Sequence, residues 1–391
     1  MATTTEPSTR PNSPKSMRPS LGGDISWRVL IFLAVFVGLA IFFHLQSNGV
    51  FLTPRNISLL LRQAAVLSVL AAGVSMLMIK GEIDLSIGSA IFLCGVVSAQ
   101  VTMVYGWPIG AAIAAALVAG LLIGLIQGLW VVYLGIPSFV ATLAGLLAWR
   151  GAGLMWTDAA TVGPVGPQFT RVSEGFLPPA TSVGLIAAVA VTVVVVTLLR
   201  SHGHDGSRPR ALVWLKLAGL LAVLAGLAWV VGGFQGLPLA VIWAGVVVFV
   251  LAALLASTRY GRSAYLLGAN REAARYAGIS VRRMLMRGFL LMGLIYGIGG
   301  VLLTARIGAS TPGAGQFMEL DAIAAAVIGG VSLRGGIGTP LGALVGALLL
   351  TTINNGMSIL NISSFAQLVI KGLILVAALA LDSFANRRAT R

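Results

Sequence analysis

Continuous apolar runs of about 20 residues, the length that crosses a hydrocarbon core, recur from Trp27 to Leu381. Runs of that kind leave few folds open. In lipid each backbone polar group must be satisfied within its own segment or in a closed sheet, so only helices and closed barrels persist. Barrel strands are short and alternate in polarity, whereas these runs are unbroken. The expected fold is all-α, a polytopic transmembrane helical bundle. Composition points the same way: 58% of the 391 residues are apolar and 9% charged, against about 25% charged in soluble domains.

About ten to twelve spans are expected, from twelve candidates of which two are marginal. The first half offers Trp27–Gln46, Ile57–Ile79, Leu85–Tyr105, Ile109–Leu134, Ser138–Trp156 and Ser182–Leu199. The second offers Leu212–Val231, Leu237–Ala256, Arg287–Ala305, Asp321–Leu333, Leu341–Gly356 and Phe365–Leu381. Ser138–Trp156 carries Arg150, and Asp321–Leu333 is too short to cross without extension or a change of tilt. Met1–Ser26, rich in Ser, Thr and Pro, reads as a disordered tail. The apolar run after it has no small-residue cleavage pattern and is expected to be a retained span.

The net charge of +15 sits in the two termini and two inter-helix segments, around Arg200–Lys216 and Arg259–Arg287. No basic stripe is interleaved with aromatics, so nucleic acid is not the expected partner. Lys and Arg in short loops set orientation. Six, two and four spans separate the basic clusters, so all of them, with both termini, fit in the cytoplasm. The loop Thr157–Thr181 then lies outside, and 257–287 forms a cytoplasmic loop. One cysteine, Cys94, excludes a disulfide within the chain. His44, His202 and His204 lack metal spacing, and Gly329–Gly342 lacks the Gly-Lys-Ser/Thr ending of a phosphate loop. No catalytic constellation emerges.

An internal repeat organises the rest. Glu82-x-Asp84, then Gly-x-Pro-x-Gly-Ala, Gln127–Gly128 and Ser138–Phe139 recur in order as Glu319-x-Asp321, Gly-x-Pro-x-Gly-Ala, Asn355–Gly356 and Ser364–Phe365. The expected topology puts the first Glu-x-Asp at the cytoplasmic edge and the second at the outer edge. The halves, about 57–156 and 287–382, are thus inverted, as in transporters whose substrate path follows the repeat interface.

Several side chains bear two readings. Glu82, Asp84 and Asp321 stand near span entrances, where a carboxylate caps a helix or takes part in gating. Gln127, Asn354 and Asn355 are amides in apolar spans. They either offer weak hydrogen bonds to a hydroxyl-rich solute or join helices. In the basic loop, Asn270 suits an N-cap, Glu272 the first turn and Gly278 the end of a short helix. Its small residues Ala273, Ala274 and Ala277 allow a soluble partner to approach, unless the loop only fixes topology.

Here the chain resembles a known family. The EAA-x-x-x-G pattern, Glu272 to Gly278, is similar to the coupling helix of ABC importer permeases. GEIDLSIGS (81–89), IPSFVATLAGLLAWRG (136–151), LDAIAAAVIGGVSLRGGIGTPLGALVGA (320–347) and the stretch 354–382 resemble monosaccharide permeases of the ribose/xylose type. The likeness to D-xylose permeases is strongest. The resemblance implies a bacterial inner-membrane subunit, paired as a homodimer, with no cofactor of its own. It also implies a separate ABC ATP-binding subunit that binds ATP and Mg, and a periplasmic or extracellular sugar-binding protein. Asn270, Glu272, Ala273, Ala274 and Gly278 would carry coupling to the ATPase. Another sugar, a nucleoside or an autoinducer remains an alternative cargo, and an ion-coupled secondary transporter an alternative class.

Overall fold

The computed structural model describes residues 27–202 and 210–389. The tail Met1–Ser26, His204, Arg208 and the last two residues lie outside the described residues. All twelve apolar runs are helical. They are α1 (Trp27–Gln46), α2 (Pro54–Ile79), α3 (Ile87–Met103), α4 (Ile109–Val132), α5 (Ser138–Trp156), α7 (Pro179–His202), α8 (Arg210–Gly233), α9 (Leu239–Ser257), α12 (Val281–Ile307), α13 (Met318–Ile328), α14 (Pro340–Ile359) and α15 (Ser364–Ala389). Among the described residues six helices, α2, α4, α5, α9, α12 and α14, are long and apolar enough to cross a membrane by length and composition. At about 1.5 Å per residue, the 11 residues of α13 cover about half of a hydrocarbon core of roughly 30 Å.

Two short helices stand where loops were expected, α6 (Gly166–Glu174) and α10 (Arg259–Ala269), and the expected short helix in the basic loop is α11 (Arg271–Tyr276). A two-residue antiparallel ladder joins β1 (Phe176–Leu177) to β2 (Leu237–Pro238). α6 is tied to α2 by the ion pair Arg62–Glu174. Local signals set the ends of the long helices. Thr53 caps α2 ahead of Pro54, Thr339 caps α14 ahead of Pro340, and Gly308 closes α12 at φ 80°.

The packing follows the repeat. α12 lies against α3 and α4 of the first half, while α2 lies against α13 and α14 of the second. α2, α3, α12 and α13 thereby form a buried centre. At the α4–α12 crossing, Gly120 and Gly124 meet Gly293 and Gly297 so closely that a Cβ on Gly124 would stand 2.3 Å from the Phe289 carbonyl. Small residues are what let helix backbones come this near in lipid.

Candidate functional site

α2 ends at Ile79, and the chain turns at Gly81 with φ 78°, a left-handed value that suits glycine. Glu82 to Ser86 then run without helical structure into the bundle before α3 begins. Their backbone groups need partners, and α5 supplies them. Ser138 Oγ accepts the Ile83 N–H at 3.2 Å, and Thr142 Oγ1 accepts that of Leu85 at 3.1 Å. Asp84 Oδ1 accepts both the N–H and the Oγ–H of Ser86, at 2.8 and 2.7 Å.

Around Asp84 the structure assembles a buried polar cluster. Tyr296 Oη, on α12, lies within hydrogen-bond reach of Asp84 Oδ2 and at 2.9 Å from Gln127 Oε1. Gln127 Nε2 donates to Ser86 Oγ at 2.6 Å. Asp84, Ser86, Gln127 and Tyr296 have essentially no exposed surface. Two of the expected candidates, Asp84 and Gln127, are thus brought together by a tyrosine that nothing in the sequence singled out.

Asp84, expected at a span entrance, is buried in protein there. The chain unwinds and re-enters at Glu82–Ser86, which carries Asp84 into the interior. The second half does likewise. Glu319 is 8% exposed, and a Cβ on Gly88 of α3 would fall 2.1 Å from its Oε2. The Glu319 carboxylate therefore lies against the first turn of α3 inside the bundle. Neither Asp84 nor Asp321 is an N-cap: the cap position of α3 is Ser86, and Asp321 lies in the first turn of α13. Asp321 Oδ2 accepts from Lys371 Nζ of α15 at 2.8 Å. Arg150 of α5 donates to the carbonyls of Pro312 and Ala314, at 3.2 and 2.7 Å.

The amides of the second half serve a helix contact. Asn355 exchanges two hydrogen bonds with Asn56 of α2, at 2.9 and 3.1 Å. Asn354, beside it, is half-buried and makes no such pair among the described residues.

One end of the bundle carries the basic helices. Asn270 Oδ1 accepts the N–H groups of Glu272 and Ala273 at 2.9 Å each, which starts α11. Gly278, at φ 77°, follows its end. Ala273 and Ala277 are exposed, but Ala274 is buried against the chain, so the expectation that it faces a partner is corrected. Arg271, at the head of α11, forms an ion pair with Glu82, only two residues from Asp84. α10 sits in the glycine-rich turn after α13. Gly336 N donates to Ile79 O at 2.8 Å and Tyr265 Oη to Gly338 O at 2.7 Å. Just past α2, Lys80 Nζ donates to Tyr260 Oη at 2.5 Å. Burial pulls the Lys80 ammonium down to about 7, against the raising influence of Glu82. Burial pushes the Tyr260 phenol up, against the lowering influence of Arg287. Among the described residues no three His, Cys, Asp or Glu side chains gather as a metal ion would need.

The geometry is that of a membrane bundle with a buried polar centre connected to one surface helix. Comparison with known proteins supplies what that bundle belongs to. Residues 56–379 match the family of branched-chain amino acid transport system / permease components. The chain belongs to that permease family. The permease is 36% identical over 390 residues to the xylose transport system permease protein XylH of Escherichia coli (strain K12), covering 97% of this chain and 98% of that one. It is 35% identical to XylH of Haemophilus influenzae, covering 92% of this chain and 97% of that one. The ribose import permease protein RbsC of Bacillus subtilis is also 35% identical, over 90% of this chain and 92% of its own. No solved structure matches the permease. It is a multi-pass inner-membrane protein of an ABC importer.

Proposed function

We propose that this permease carries a monosaccharide, D-xylose, inward across the inner membrane, driven by ATP hydrolysis in a separate subunit. The end bearing α10, α11, the start of α1 and the end of α15 faces the cytoplasm. There α11, with Asn270, Glu272, Ala273 and Gly278 at its surface, docks on the ATPase subunit, which binds ATP and Mg. Two copies form the channel, and a soluble sugar-binding protein delivers cargo from the other side. The likeness to xylose permeases over nearly the whole of both chains supports the cargo assignment.

One observation carries the coupling reading: the Arg271–Glu82 ion pair links the surface helix to the unwound segment that holds Asp84. Movement of α11 would pull on that segment and open the cluster of Asp84, Ser86, Gln127 and Tyr296. With the cluster open, its hydroxyl and amide groups offer a sugar exchangeable hydrogen bonds.

The test is uptake of labelled sugar into proteoliposomes holding the permease, its ATPase subunit and binding protein. Arg271→Glu is expected to reduce uptake at least tenfold while the ATPase continues to turn over. The paired variant Arg271→Glu/Glu82→Arg should recover part of it. Normal uptake by Arg271→Glu would sink the coupling reading. Ribose is the second cargo to assay, because ribose permeases are nearly as similar. Uptake by the permease alone, on an ion gradient, would make it a secondary transporter.

A further inference from the structure

Between α10 and the start of α12 lies a cavity of about 270 Å³. Arg259, Arg283 and Arg287 line it together with Tyr260, Ser263 and Ser280. No carboxylate lines it, and among the described residues none of the three arginines is in an ion pair. All three are exposed, so solvent screens part of their mutual repulsion, and an anion seated between them would relieve the rest.

The helix beneath them sharpens the anomaly. Arg283 and Arg287 are one turn apart on α12, a spacing at which like charges destabilise a helix. They also occupy its N-terminal turns, where the dipole disfavours cations. The first turn holds no acidic residue, and Ser280 at the cap position makes no side-chain bond to the first-turn N–H groups. The charges and the helix end therefore lack the same thing, a negative group seated in the cavity. Positive charge that only sets orientation needs no convergence on one pocket.

The cavity's level suggests the source. α9 leaves the bundle at Ser257 and α12 enters at Val281, so Arg259 and Arg283 stand where two spans meet the headgroups. Basic pockets between spans are suited to anionic lipid headgroups. We propose that this cavity binds the phosphate diester of an anionic phospholipid, held by Arg259, Arg283 and Arg287 with the first-turn N–H groups of α12. Ser263 and Ser280 also line the cavity and could bond the glycerol part through their hydroxyls. The proposal rests on α9 and α12 crossing a membrane and not on the cargo; Gly278 of the proposed docking surface also lines the cavity, so a pull-down of the ATPase subunit is part of its test.

Full-length permease taken from nanodiscs of equal parts phosphatidylglycerol and phosphatidylcholine, and read by native mass spectrometry, tests it. The wild-type chain is expected to retain phosphatidylglycerol preferentially. Arg283→Gln/Arg287→Gln should lower that retention about tenfold. Arg275→Gln/Arg282→Gln removes the same net charge outside the cavity and should leave retention unchanged. Equal losses in both double variants would mean that bulk charge alone matters, and would overturn the site. Displacement of the lipid from the wild-type chain by millimolar inorganic phosphate would make this a free-phosphate site and overturn the lipid assignment. Unchanged lipid retention in Arg283→Gln/Arg287→Gln, with loss of the ATPase subunit on pull-down, would give the cavity to that protein instead. Lipid retention requires neither ATPase nor sugar, so a failure of the transport reading would leave this result intact.

Discussion

Asp84 and Asp321 occupy matching places in the two repeats, yet the first meets a phenol and a hydroxyl while the second meets an ammonium. The Asp84 carboxylate is fully buried and surrounded by neutral donors. Such a cluster can exchange partners through small rotations of Tyr296, Ser86 and Gln127. The Asp321–Lys371 pair has no equivalent freedom, because separating its members leaves two isolated charges at membrane depth. A second contrast runs in parallel. The first repeat brings α4 to α12 through glycines, backbone against backbone, whereas the second joins α14 to α2 through an asparagine pair. The first repeat also receives Arg271. On the proposed route the first repeat rearranges and the second anchors.

The largest expected effect falls on the cluster. Asp84→Leu removes the acceptor used by both donors of Ser86, each costing about 1–3 kcal/mol when left buried without a partner, while Tyr296 keeps Gln127 Oε1. Uptake should vanish, and the detergent-solubilised protein should melt at a lower temperature than any variant at Lys371, Gly124 or Asn355. Next comes the ion pair. Lys371→Met leaves Asp321 uncompensated, at a cost of about 2.5–3.5 kcal/mol on insertion scales. Lys371→Met/Asp321→Asn should regain most of the lost melting temperature and of the uptake. If the double neutral variant transported no better than Lys371→Met, the pair would be more than an anchor. If Lys371→Met melted below Asp84→Leu, the ranking of the two repeats would be reversed.

The part of this contrast that could be read from sequence is uneven, for physical reasons. Helix positions were legible because an apolar run of membrane length admits little besides a helix. The short helix at Asn270–Gly278 was legible because its cap, first-turn acid and terminal glycine all agree. α6 and α10 were not, since short polar helices carry no length signal and need a neighbour to lie on. The burial of Asp84 was missed because hydropathy says nothing of how a break between apolar runs packs, and Gly81 turns the chain back into the bundle. Tyr296 sits in the glycine-rich run GLIYGIGG of α12, and its hydroxyl has meaning only once α3 and α4 are placed beside it. Ser138 and Thr142, four residues apart on α5, did leave a trace as small polar groups on one helix face.

The glycine contact should rank third. A Cβ at Gly124 would press on the backbone carbonyl of Phe289, which cannot rotate away as a side chain does. Gly124→Ala is expected to cost about 1–3 kcal/mol through overpacking, with uptake falling as α4 is pushed off α12. Gly110, where a Cβ meets open space, is the control: Gly110→Ala should leave melting and uptake near wild type. Comparable losses at both positions would mean that the close approach is not what holds the first repeat together.

The smallest effect belongs to the amide pair, and its size follows from what remains after the change. Asn355→Leu removes two hydrogen bonds to Asn56, but Asn56 Nδ2 still donates to the Phe51 carbonyl at 2.7 Å, so only its Oδ1 is orphaned. Interhelical hydrogen bonds in membranes are worth about 0.6 kcal/mol each, and the loss should therefore be about 1 kcal/mol. Asn56→Leu/Asn355→Leu should sit close to wild type, because an apolar pair of similar shape leaves nothing unsatisfied. The same variants decide between the two uses of Asn355. A tie between helices changes melting and leaves the KM for sugar alone, while a group on the sugar path changes KM even where stability is restored in the double variant. The first outcome keeps the polar pathway in the repeat that holds Asp84 and Gln127; the second extends it into α14 and removes the asymmetry between the halves.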